Sequence, residues 1–190
     1  MKRSLILTLA ATVALAAPLA AQAQNASATV TVNGEVTKAC VIGQPASVSL
    51  ALGDLTGPDG RISAEKASAT PSQSTTIATA WCNAPSTMSI DGSPLALTAP
   101  PAYASPAGFS RLISYKAEVI GWTGALFDEP LVGDSAKTLA APSAYAATGD
   151  GLKLDISSLK TLNTAGSAAA AAIVEAGSYS GTVVISVATQ

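Results

Sequence analysis

Period-two alternation runs through this chain and is cleanest in its last stretch, residues 177–190, GSYSGTVVISVATQ. Val183, Ile185 and Val187 fall on one face; Thr182, Val184, Ser186 and Ala188 fall on the other. β-Branched residues dominate, which suits a pleated, half-buried ladder. Gly177 and Gly181 interrupt the entry. A final apolar strand is either paired along both edges or leaves one edge open, so the rest of the sequence is read for what could lie beside it.

Alternation recurs upstream. Residues 25–37 place Ala26, Ala28, Val30, Val32 and Val36 on one parity and Thr29, Thr31, Asn33, Glu35 and Thr37 on the other. This predicts a long strand with a polar outer face, or two segments joined near Asn33-Gly34. Further strands are expected over residues 46–52, 74–82, 86–91, 111–122 and 152–156, with a brief one at 95–98. The strongest internal strand is 111–122, with Ile113, Tyr115, Ala117 and Val119 inward. Residues 63–72 read as a polar connection, and the Pro-rich run 95–109 as mostly loop. Residues 123–147 read as turn-laden, with Asp128-Glu129 at an exposed tip. The alanine run 168–172 reads as a loop with some helical character. Seven or eight short strands without a long helix point to an all-β sandwich.

The N-terminus has its own logic. Lys2 and Arg3 precede an apolar run over residues 5–19, and Ala21-Gln22-Ala23 follows. That is the layout of a secretory signal. Cleavage after Ala23 leaves 190 − 23 = 167 residues, which suits one domain. The apolar run is short for a bilayer span, and no later segment reaches the needed length, so no stable membrane span is expected.

Charge and cysteine content narrow the class. The chain has 10 basic and 12 acidic residues; without Lys2 and Arg3 the balance is 8 against 12, a net charge of −4. There is no basic cluster, so nucleic acid is a poor partner. Charged residues are 12% of the chain, against about a quarter in ordinary domains. Two cysteines, Cys40 and Cys82, remain in the exported chain. The default reading is a disulfide, two buried thiols being the alternative. Closing that loop of about 40 residues is worth roughly 4 kcal/mol.

Catalytic motifs are missing. There is no histidine, no nucleophile elbow, no phosphate-binding loop and no dinucleotide fingerprint. Adjacent Asp128 and Glu129 would point to opposite faces of an extended chain. No enzymatic activity and no cofactor or metal are expected.

The segment NGEVTKACVI (residues 33–42) resembles the first strand of chaperone–usher pilin subunits, in which an apolar strand runs into the first cysteine. A second cysteine about forty residues later, at a strand end, fits Cys82. A glycine fourteen residues from the end, followed by alternating apolar residues, fits Gly177. The opening Gly177-Ser178-Tyr179 resembles the archaic, spore coat U-like branch, and Thr189 stands where classical pilins carry a penultimate tyrosine. The resemblance implies an immunoglobulin-like β-sandwich lacking its last strand, here residues 38–190. Its groove would lie beside the strand carrying Gly177, Tyr179, Val183, Ile185, Val187 and Gln190. The implied partners are a periplasmic chaperone whose basic residues hold the terminal carboxylate of Gln190, an outer-membrane usher, and other pilin subunits. Residues 24–37 would be the donor arm and first strand, with Ala26, Ala28, Val30 and Val32 as the arm's apolar side chains. The implied role is an extracellular pilus or coat fibre in adhesion or biofilm formation.

Two other readings stay open on the residues. One is a secreted monomeric β-sandwich that binds carbohydrate or a surface partner through Trp81, Trp122 or Tyr103. The other is an autonomous domain whose residues 25–37 fold back to complete its own sheet.

Overall fold

A computed structural model of the chain describes residues 31–43, 49–147, 151–163, 165–169 and 172–190. The chain divides into a leading unit, Met1–Glu35, and a main unit, Val36–Gln190. The expected secretory signal, and Ala26, Ala28 and Val30, lie outside the described residues.

The main unit is all-β, with curled antiparallel sheets and one disulfide. Its longest strands are β7 (Leu112–Ile120) and β11 (Leu152–Leu162), paired antiparallel. They form the centre of a six-stranded sheet with β2 (Gln73–Ile77), β5 (Leu95–Leu97), β8 (Leu126–Asp128) and β13 (Tyr179–Ser180). A second sheet takes the order β14 (Val183–Thr189), β4 (Ser86–Gly92), β9 (Lys137–Ala141). A third is small: β1 (Cys40–Ile42) and β10 (Tyr145–Ala146) flank β3 (Ala80–Cys82). A parallel pair joins β6 (Phe109–Ser110) to β12 (Ile173–Val174).

One apolar cluster holds these elements together. Met88 and Ile90 of β4 meet Ile113, Tyr115, Ala117 and Val119 of β7, with Leu152, Leu154, Ile156 and Leu159 of β11. The β7 residues share one parity because successive side chains of a strand alternate between faces.

Several local expectations are corrected. Residues 74–82 form two strands in different sheets, broken at Ala78-Thr79. The strand expected at 152–156 runs on to Leu162 through a register shift between Ser157 and Lys160, where Ser158 takes a φ of 51°. An inserted residue of this kind flips the face pattern and hides the continuation. The polar connection holds one helical turn, α1 (Ala64–Ala67), whose first turn is capped by the Ser63 hydroxyl accepting from Lys66 N–H at 3.3 Å. The turn-laden stretch contains β8, β9 and β10. Asp128 is no loop tip: it is buried in β8 and accepts from Gly92 N–H at 2.9 Å, while Glu129 pairs with Lys160.

The leading strand expected over residues 25–37 is not seen in its described part: residues 31–39 carry no strand, and among the described residues strand pairing starts at Cys40, while residues 25–30 lie outside the described residues. Val32 and Val36 are 89% and 84% exposed. Alternation specifies a strand only where a sheet covers its apolar face.

Candidate functional site

The last strand runs antiparallel to residues 86–98 along almost its whole length. Thr98 N–H donates to Ser178 O at 2.9 Å; Tyr179 faces Leu97 and Ser180 faces Ala96. Ser93 N–H then donates to Thr182 O at 2.8 Å, and the ladder continues from Val183 opposite Gly92 to Thr189 opposite Ser86. The register slips by one residue between these parts, at Pro94, which has no N–H to offer a ladder. The slip lets one strand leave the six-stranded sheet and join the second. Thr182 N–H also donates to the Ser93 hydroxyl at 2.8 Å, which fastens the bend.

Two glycines make this course possible. Gly177 has a φ of 146°, and a Cβ there would run into the Leu97 side chain. A Cβ on Gly181 would lie 2.9 Å from the Ser93 carbonyl oxygen and 3.0 Å from that of Pro94.

The strand has an apolar side and an open edge. Val183, Ile185 and Val187 are half-buried against the core, whereas Val184 is 55% exposed. Both β13 and β14 end the order of their sheets, and among the described residues no strand pairs with their outer edge. Beside residues 174–181 lies a groove of about 1010 Å3, whose opposite wall is residues 49–56. Leu50, Leu52 and Leu55 supply apolar surface from that wall, and Leu95, Val174 and Tyr179 from the other side. A sheet edge with no strand beside it is where an extended peptide can add as a further strand.

The groove also has polar fittings. Glu175 accepts from the Ser105 hydroxyl and, at 2.9 Å, from Arg111 Nε. The Ser105 hydroxyl, with the Arg111 guanidinium, holds the Glu175 carboxyl below its usual range against the opposing effect of burial. The Tyr179 hydroxyl donates to Glu175 O at 2.8 Å; burial, and then the charge of Glu175, push it up to about 12. Asp54 accepts from Thr56 N–H and its hydroxyl, which holds that carboxyl low. These groups are engaged with their neighbours, as a structural wall requires. Among the described residues no group of three or more His, Cys, Asp or Glu is placed to hold a metal ion.

The other singled-out residues lie elsewhere. Cys40 and Cys82 form the disulfide that ties β1 to β3. Gln190 is fastened beside the start of β4: its N–H donates to Pro85 O at 2.9 Å and its side-chain amide to the Thr87 hydroxyl at 2.9 Å. Trp122 is 4% exposed with its ring edge against Tyr145, so it presents no face to a sugar. Trp81 is half-buried in β3, and Tyr103 is exposed with Arg111 stacked over its ring. The Arg111–Glu175 pair and the 49–56 wall had no sequence signal as partners, although Leu50 and Leu52 carry the alternation that marks an inward face. Among the described residues no helix is long and apolar enough to cross a membrane. No family model, curated protein or solved structure matches the chain.

Proposed function

We propose that this protein is the structural subunit of an extracellular fibre or coat, built by donating a leading strand to the next subunit. The supporting observation is the last strand: it is the outer edge of two sheets at once, with a groove of mixed polar and apolar lining beside its first part, residues 174–181. In this reading the main unit is an immunoglobulin-like sandwich short of one strand. Residues 25–32 of a neighbour fill the gap, and a periplasmic chaperone shields it before an outer-membrane usher adds the subunit to the fibre. The contact is head-to-tail and does not close on itself, so it propagates as a filament. Val30 and Val32 at full burial contribute roughly 1.5–3 kcal/mol each, and the main-chain ladder adds direction and slow release. Carbohydrate binding has no comparable support, given the burial of Trp122.

The test is a denaturing gel of the exported protein with and without boiling. A ladder that collapses on boiling is expected, and deleting residues 25–32 should abolish it. One sharp monomer band in both lanes, or a ladder from the deletion variant, would refute the proposal.

A further inference from the structure

The point where the leading segment joins the main unit is unusually well held for an exposed stretch. The side-chain carbonyl of Asn83 accepts from Ala39 N–H at 2.7 Å, and its amide donates to Thr37 O at 2.9 Å. The main-chain N–H of Asn83 donates to Ala39 O at 3.0 Å. One residue thus binds three main-chain groups of residues 37–39, extending the β1–β3 ladder one step beyond the disulfide. The carboxamide does what a strand backbone would do there, offering one donor and one acceptor at matching spacing.

Lys38 lies between the two clamped residues. Its Nζ donates to the main-chain oxygen of Gln190 at 2.8 Å. Gln190 is itself fixed to Pro85 and Thr87. Residues 37–39 are therefore tied on one side to the end of β3 and on the other to the end of β14. Upstream of them the chain makes no strand among the described residues and Val36 is exposed. All of these bonds are solvent-exposed; Asn83 supplies three of them from a short side chain and its own main chain, whereas Lys38 supplies one from a long, entropically costly side chain, so Asn83 carries the larger share.

We propose that Asn83 is a positioning residue for strand donation, with Lys38 as its auxiliary: together they fix where the arm leaves the domain, next to the strand that receives a neighbour's arm. This rests on the fibre reading above. A donor segment anchored at a rigid root searches fewer orientations before it docks, so its association is favoured by preorganisation rather than by extra contacts. The same root carries the pull between the strand a subunit accepts on and the arm it gives, over a path of a few residues through β1, β3 and β14.

The experiment uses full-length exported protein with N83A, N83D and K38M. Hydrogen exchange is read at Ala39 and across β14, and the unboiled ladder is read on the same samples. In N83A, exchange at Ala39 should rise about fivefold to tenfold, the loss of one ordinary hydrogen bond. The ladder should shorten while protection of β14 stays at the wild-type level. N83D keeps the acceptor for Ala39 N–H and loses the donor to Thr37, so it should fall between; K38M should have the smallest effect. A wild-type ladder that N83A and N83D match rung for rung overturns this inference alone. So does a shortened ladder accompanied by equal loss of β14 protection, since that is general destabilisation. Absence of any ladder from wild type overturns the fibre reading and this inference with it.

Discussion

The hydroxyl of Tyr115, buried in β7, lies 2.9 Å from the carbonyl oxygen of Ser93 and 3.2 Å from that of Thr182. A core side chain thus reaches the place where the last strand passes from one sheet to the other. Thr182 O has a second partner in Ser93 N–H, whereas the phenol is the side-chain donor that Ser93 O receives. The inward parity of β7 explains why Tyr115 points there, and the break in the last strand explains why a carbonyl is free to meet it.

Tyr115→Phe keeps the ring and removes the donor. A stability loss of about 1 kcal/mol is expected, the net worth of one ordinary hydrogen bond plus part of an unsatisfied acceptor. Urea denaturation measures it, and faster exchange of the Thr182 amide should locate the effect at the bend. An unchanged midpoint would show that the contact adds nothing.

Gly177→Ala places a methyl group against Leu97 at a positive φ. The expected loss is about 1–3 kcal/mol from backbone strain and overpacking. Local opening should be confined to β13 and β5, visible as lost protection at Thr98, whose N–H bonds to Ser178 O. A Gly177→Ala protein as stable as wild type would mean the strand enters by another route.

Replacing Cys40 and Cys82 together by serine releases a cross-link between residues 42 apart. The chain-entropy model gives a loss of roughly 4 kcal/mol. Denaturant unfolding of the double variant, compared with reduced wild type, should give the same value for both. A loss below about 1 kcal/mol relative to the oxidised protein would mean that effects in the native state offset the unfolded-chain term.

Stability should fall at both pH extremes through groups of the groove. The Glu175 carboxyl is held below its ordinary 4.5, so its contribution is complete above that value and is lost as the pH falls through the lower folded-state value. Tyr179 is pushed from 10 to about 12, so its contribution is complete below pH 10 and is lost as pH rises from 10 to 12. Tyr115 is shifted in the same direction, by burial and then by Asp128. Thermal melts across pH should show a shallower acid limb for Glu175→Gln and a shallower alkaline limb for Tyr179→Phe. Limbs identical to wild type would remove these groups from the account.

The alternation of β7 was legible because its inner face is covered for its whole length. Ile113, Tyr115, Ala117 and Val119 are all buried on the parity the sequence sets. Residues 74–82 read as one strand because the chain bends at Ala78-Thr79 without losing its alternation. β11 was cut short because Ser158 resets the parity within it. Asp128 reads as a tip because a carboxylate is costly to bury; the Gly92 N–H that donates to it lies 36 residues away. The same distance problem hid Asn83 as a clamp and Arg111 as the partner of Glu175. Pairings set by the fold leave no local trace in one sequence.

The kink at Gly181-Thr182 sets a length rule for any peptide laid along the free edge. A short peptide reaches only one side of the kink and grips a single sheet. One long enough to round it would zip onto both, cross-bracing layers that the lone chain joins there through a single strand. Affinity should then climb in a step, not a slope, as a bound segment grows past the corner.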